Sequence, residues 1–160
     1  MAEPRRLSHL DARGAARMVD VSAKVVTVRE AVARGHIRVA AAALRLARAG
    51  RLKKGGVVEV ARLAGVMAAK RTADAIPLCH PLPLTHVDVD VIPRRDGFAI
   101  EARVRTEAKT GAEMEALHAV AVTALTLYDM VKAADPQMVI GDIRLVKKTG
   151  GRSDVAIRRR

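Results

Sequence analysis

Five residues of one predicted helix have the right types for acid–base chemistry. Glu115, His118, Thr126 and Asp129 fall within about 80° of one another on a helical wheel, and Lys132, three residues past Asp129, adjoins them. Carboxylates, an imidazole and an amine on one stripe are the inventory for moving protons between heteroatoms. The same spacing also describes a solvated face with an Asp–Lys pair, so its meaning depends on what the rest of the chain brings to it.

Three other stretches offer partners. Lys53-Lys54-Gly55-Gly56 stands directly before a second predicted helix, where unpaired N–H groups, the positive end of the dipole and glycine backbone suit a phosphate. The spacing is not that of a Walker loop. Lys70-Arg71 near the far end of that helix, and Lys147-Lys148-Thr149-Gly150-Gly151, add further cations. The stretch DAIPLCHPLPLTH, residues 74–86, holds the only cysteine and three of the six prolines. Its His80, fixed by the ring of Pro81, has a near-neutral reference pKa useful for acid–base work or substrate contact. Cys79 reads as a small buried hydrophobe, because no His-Cys-Asn pattern accompanies it.

The elements that must position these residues follow from periodicity. Residues 27–39 are β-branched and half alternate, with Gly35 as a candidate bulge, and predict a strand. Residues 40–49 predict a short helix closing at Gly50. From Val57 to about Ala73 the period is helical: Glu59, Arg62 and Lys70 form a polar stripe, and Val60, Leu63, Ala64 and Met67 are expected to form the core-facing side. His86, Asp88 and Asp90 alternate with valines, a turn follows at residues 93–97, and Phe98, Ile100, Ala102 and Val104 alternate on the return, which is a hairpin. Thr110-Gly111-Ala112-Glu113 fits a capping box at the start of the acid–base helix, and Pro136 ends it. Residues 138–148 predict a last strand, and Met18 to Ser22 could pair as a short one. The resulting order is the β-α-β-β-α-β of a ferredoxin-like α+β sandwich, an antiparallel sheet with helices packed on one face.

Composition narrows the partner. The 160 residues suit one domain, with 1–17 as an irregular N-terminal arm, 18–151 as the domain and 152–160 as a basic tail. A formal charge of +12 favours an anionic partner. With one Phe, one Tyr and no Trp, the stacking platform of a single-strand nucleic-acid binder is missing, which disfavours a basic ferredoxin-like RNA-binding module without catalytic activity. A lone Cys permits no internal disulfide and no zinc spacing. The absence of a signal-peptide pattern or a membrane-length apolar run leads to the expectation of a cytoplasmic protein without membrane contact.

Four stretches together resemble one family closely: MVDVSAKVVTVREA (18–31), KGGVVEVARLAGVMAAKRTADAIPLCHPLPL (54–84), KTGAEMEALHAVAVTALTLYDMVKA (109–133) and MVIGDIRLVKKTGG (138–151). They are similar to the cyclic pyranopterin monophosphate synthases of molybdenum-cofactor biosynthesis, the MoaC family. The resemblance implies a lyase that converts a cyclised dihydro-GTP into cyclic pyranopterin monophosphate and releases diphosphate. It also implies a homohexamer, a trimer of dimers, with active sites where subunits meet. It further implies that no cofactor is required, that Mg2+ can accompany the triphosphate and that no nucleic acid takes part.

On matching positions the resemblance assigns Asp129 as an active-site acid, Lys132 and Lys54 as catalytic lysines, and His80 as a group presented to the substrate. Leu78, Cys79 and His80 become one substrate-binding loop, and Met114 and Glu115 a second contact. Lys54, Lys70, Arg71 and Lys148 would hold the triphosphate, and their cations would stabilise the leaving diphosphate. Asp129, three residues from Lys132, should keep that lysine charged, whereas a catalytic lysine near neutral pH needs the opposite shift. Gly56 departs from the acidic residue expected after Lys54-Gly55 and leaves the lysine intact.

Overall fold

A computed structural model describes residues 13–52, 55–151 and 154–156. Its elements run β1 (Thr27–Arg38), α1 (Ala41–Arg48), α2 (Val57–Lys70), α3 (Thr72–Ala75), β2 (Leu84–Arg94), β3 (Gly97–Ala108), α4 (Glu113–Val131), β4 (Val139–Thr149) and the two-residue β5 (Val155–Ala156). The strands form one antiparallel sheet in the order β2-β3-β1-β4-β5. Without the edge pair β5, that is the ferredoxin-like order expected from the alternation of strands and helices.

Side-chain alternation decides which sheet face becomes core. In β1, Ala31, Ala33 and Ile37 point under the helices and are fully buried, and in β3 Phe98, Ile100, Ala102 and Val104 do the same. α4 lies across β1, β3 and β4, with α2 beside it over β2. Among the described residues α4 alone has the length and hydropathy of a membrane span, yet half of it is buried here as the central helix of the sandwich. Two glycines allow the close approach. A Cβ on Gly35 would come within 2.6 Å of Val120 Cγ1 on α4, and one on Gly65 of α2 would collide with Thr123 Oγ1 on α4. The pairing of β1 with β4 shifts register opposite Gly35, where Arg34 faces Arg144 and His36 faces Gly141, so the extra residue lies on β4, at Asp142 with φ 56°, and not on β1.

Three local expectations are corrected. The core face of α2 is its small-residue face, Val57, Ala61, Gly65, Ala68 and Ala69, because small side chains let α2 sit tightly on α4. The larger apolar residues stay outside: Val60 is 45% exposed, Leu63 64% and Met67 38%. The capping box does not form, since α4 begins at Glu113 with no side-chain cap bond. Instead the Glu113 carboxylate accepts from Lys148 Nζ at 3.1 Å, a charge-assisted bond stronger than a neutral cap. Met18 to Ser22 is not a strand: the Asp20 carboxylate accepts from Ser22 N–H at 2.8 Å, and Lys24 N–H donates to Val21 O, which curls the segment into a turn.

The other sheet face is charged. Glu30, whose side chain is only 8% exposed, accepts from Arg105 Nε at 2.8 Å and from Lys147 Nζ at 3.0 Å, tying β1 to β3 and β4. Those two bonds hold its carboxyl below the usual carboxylate range, the Lys147 bond most strongly, against the opposing effect of burial. Arg34 pairs with Glu101 beside it. Phe98 is buried in the core and the Tyr128 hydroxyl donates to Pro136 O, so neither aromatic residue offers a stacking surface on the sheet.

Candidate active site

At the end of the sheet where β1 begins and β3 and β4 finish, a cleft of about 230 Å³ is lined by Lys24, Arg29, Lys109, Thr110, Glu113 and Lys148, among others. Each cation has a structural reason to be there. Arg29 occupies a core-facing position in the alternation of β1, two residues before Ala31, and lines the cleft. Its Nη2 donates to Lys109 O at 3.5 Å, while its Nε is buried without a hydrogen-bond partner. Lys109 Nζ donates to Ser22 O at 2.7 Å and anchors the turn that carries Lys24. Lys148, at the end of β4, meets Glu113. Four cations against the carboxylates of Glu30 and Glu113 leave the cleft positive, and an unpaired guanidinium N–H in its wall suits an anion.

Glu113 links this cleft to a second group at the start of α4. Burial pushes the Glu115 carboxyl up to about 7; its own backbone N–H opposes that rise and the charge of Glu113 adds to it. Glu115 is 4% exposed. Its charge and, more strongly, burial raise the thiol of Cys79. Leu78, Cys79 and His80 are half-buried and follow the single turn of α3, which itself meets α4. Met114, 38% exposed, sits between Glu113 and Glu115. Lys70 and Arg71 are exposed at the end of α2, and Lys70 lines a separate cleft with Val66, Leu82, Leu84 and His86.

The stripe read from the helical wheel therefore divides. Glu115 and His118 face the loop, and His118 Nδ1 lies 3.2 Å from Thr72 Oγ1. Thr126 Oγ1 donates back to Val122 O within its own helix and belongs to no site. Asp129 and Lys132 form a 2.7 Å ion pair, both about half exposed, at the other end of α4. Asp129 raises the ammonium pKa through that hydrogen bond and its charge, the direction its spacing implies. Fourteen residues separate Asp129 from Glu115, or about 21 Å of helix. One subunit thus does not bring the two ends of the stripe together. Lys54 lies outside the described residues.

Sequence reasoning missed Lys24, Arg29, Lys109 and the partner role of Glu113. One signal was available: an arginine at a core-facing position of an otherwise apolar alternation has to find an anion or a polar wall. The other cations converge only once the strand ends are brought together.

An antiparallel α+β sandwich with cations gathered at one sheet end, and a buried carboxyl near a proline-framed loop, defines a chain suited to an anionic ligand near groups that can move protons. The comparisons specify it further. Residues 18–151 match the MoaC family, and the chain belongs to that family. A protein of Parvibaculum lavamentivorans named cyclic pyranopterin monophosphate synthase is 59% identical over 151 residues, covering 93% of this chain and 94% of its own length. Proteins of the same name from Thermomicrobium roseum and Heliobacterium modesticaldum are 60% and 58% identical, covering 92% and 95% of this chain and 90% and 97% of their own lengths.

Proposed function

We propose that this chain is a cyclic pyranopterin monophosphate synthase of molybdenum-cofactor biosynthesis, a lyase that rearranges a cyclised dihydro-GTP into cyclic pyranopterin monophosphate with loss of diphosphate. The observation that carries the reading is the cationic cleft of Lys24, Arg29, Lys109 and Lys148, lined also by Glu113, two residues from Glu115, in a chain about 60% identical to proteins of that name. The cleft receives the triphosphate, with Mg2+ as an optional companion. Cations around the departing diphosphate stabilise the charge that develops as the bond to it breaks. Ring opening and reclosure need proton transfers, for which Glu115 and His80 stand on one side, and Asp129, Lys132 and Lys54 supply the remainder.

Because about 21 Å of helix separates Glu115 from Asp129, the two ends of α4 serve one substrate only if they come from two copies. The exposed Val60, Leu63 and Met67 of α2 supply apolar surface for such an assembly, a hexamer of three dimers with shared sites in the cytoplasm. The purified chain, given the cyclised dihydro-GTP, should release one diphosphate per pterin formed. Intact binding of the triphosphate with no diphosphate released would refute the enzymatic reading.

A further inference from the structure

The first half of α4 meets the loop segment at two points. Glu115 lies close enough to Cys79 for its charge to act on the thiol. One turn further along, His118 Nδ1 stands 3.2 Å from Thr72 Oγ1. Thr72 is 1% exposed and opens α3. From there a continuous backbone path leads to the loop: Ile76 N–H donates to Thr72 O at 2.9 Å, and Cys79 N–H to Ile76 O at 3.0 Å. Whatever fixes Thr72 therefore fixes the start of the segment that presents Leu78, Cys79 and His80.

The direction of the His118–Thr72 bond follows from counting protons. A threonine hydroxyl carries one proton and two lone pairs. Thr72 Oγ1 also lies 3.2 Å from Ala68 O and 3.1 Å from Ala69 O, and carbonyl oxygens can only accept. The hydroxyl proton goes to those carbonyls and a lone pair is left for the imidazole, so Nδ1 is the donor. Neutral His118 is then held in the Nδ1–H tautomer with Nε2 as acceptor, and protonation leaves the Nδ1 donor in place.

We infer that His118 is a positioning residue which, through Thr72, holds the Leu78–His80 segment in its working place. The kinetic part of this role rests on the proposed function; the structural part does not. Cys79 is the only cysteine in the chain, so a small aromatic disulfide reagent reports on this segment alone. Breaking the bond opens the segment more often, which uncovers the thiol and relieves the burial that raises its pKa.

His118→Ala should label about tenfold faster than wild type, the ratio corresponding to loss of one buried hydrogen bond. It should also raise KM for the cyclised dihydro-GTP more than it lowers kcat. His118→Asn, whose amide N–H stands where Nδ1–H stood, should return labelling and KM towards wild type, and Thr72→Val should behave like His118→Ala. Equal labelling of wild type and His118→Ala, or no rescue by Asn, would overturn the inference. Nitrogen NMR of the wild type should show the Nδ1–H tautomer, and a bare Nδ1 would reverse the assigned donor and overturn it as well. A wild-type protein with the predicted labelling pattern but no diphosphate release would refute the function and leave the positioning role standing.

Discussion

Replacing Glu30 with Gln keeps the shape of the side chain and removes the charge that binds β1 to β3 and β4. The carboxylate accepts two charge-assisted bonds, from Arg105 Nε and Lys147 Nζ. Such bonds are worth roughly 1.5–3 kcal/mol each when shielded. Here Arg105 and Lys147 are themselves 57% and 48% exposed, so solvent screens the pair and the two bonds together contribute about 1–2 kcal/mol. The pH dependence follows from the depressed carboxyl pKa, relative to the ordinary 4.5. A group ionised more easily in the folded state stabilises that state at pH above its unfolded pKa, and the contribution disappears as pH falls through the lower folded pKa. Urea unfolding at fixed protein concentration should therefore show Glu30→Gln less stable by about 1–2 kcal/mol at pH 7, with the gap narrowing below about pH 4.5 and closing in stronger acid. Equal stability at pH 7, or a gap that persists in acid, would refute the assignment of Glu30 as a charged cross-strand hub.

Two other outcomes follow from the site. Lys54→Arg should bind the triphosphate yet turn it over at least about a hundredfold more slowly, since guanidinium keeps its proton at any working pH; a near-normal single-turnover rate would return Lys54 to an electrostatic role. The kcat/KM profile should carry a limb near pH 7 from Glu115, protonated below and ionised above, and Glu115→Gln should remove that limb; a limb unchanged in the variant would assign it to another group.

The sheet was legible in the sequence because period-two alternation in residues 84–108 leaves one face apolar, and the turn between the two runs fixes their register. The order of the long elements was legible for the same reason, whereas the bulge opposite Gly35 puts its extra residue on β4. The face of α2 was not. A helix that is apolar around most of its girth can turn several sides to the core, and its partner chooses among them: the small residues Ala61, Gly65 and Ala68 fit against α4, and Val60, Leu63 and Met67 were left outside. Local motif rules failed where a distant charge competed. Glu113 had the spacing of a cap, but Lys148 lies 35 positions away and offers a stronger bond.

The candidate site divides along the same line. Glu115, His118 and His80 were named from residue type, and Leu78 and Cys79 from the resemblance; Glu115 lies near enough to act on Cys79, and His118 meets Thr72 ahead of that segment. The stripe could not show that Asp129 and Lys132 stand at the far end of α4 from Glu115 and His118, because a helical wheel discards the 1.5 Å rise per residue. Arg29 and Lys109 come together only when antiparallel pairing sets Thr27 opposite Ala108.

The shared site is tested most directly by mixing two disabled subunits. Glu115→Ala damages the start of α4 and Asp129→Ala its end. If each site takes one end from each of two copies, random co-assembly leaves both ends intact in about a quarter of the sites. Coexpressed variants carrying different tags and captured by both tags in succession should recover about a quarter of wild-type diphosphate release, while each variant alone stays inactive. Doubly captured, properly assembled protein with no activity above the single variants would contradict a site built from two copies.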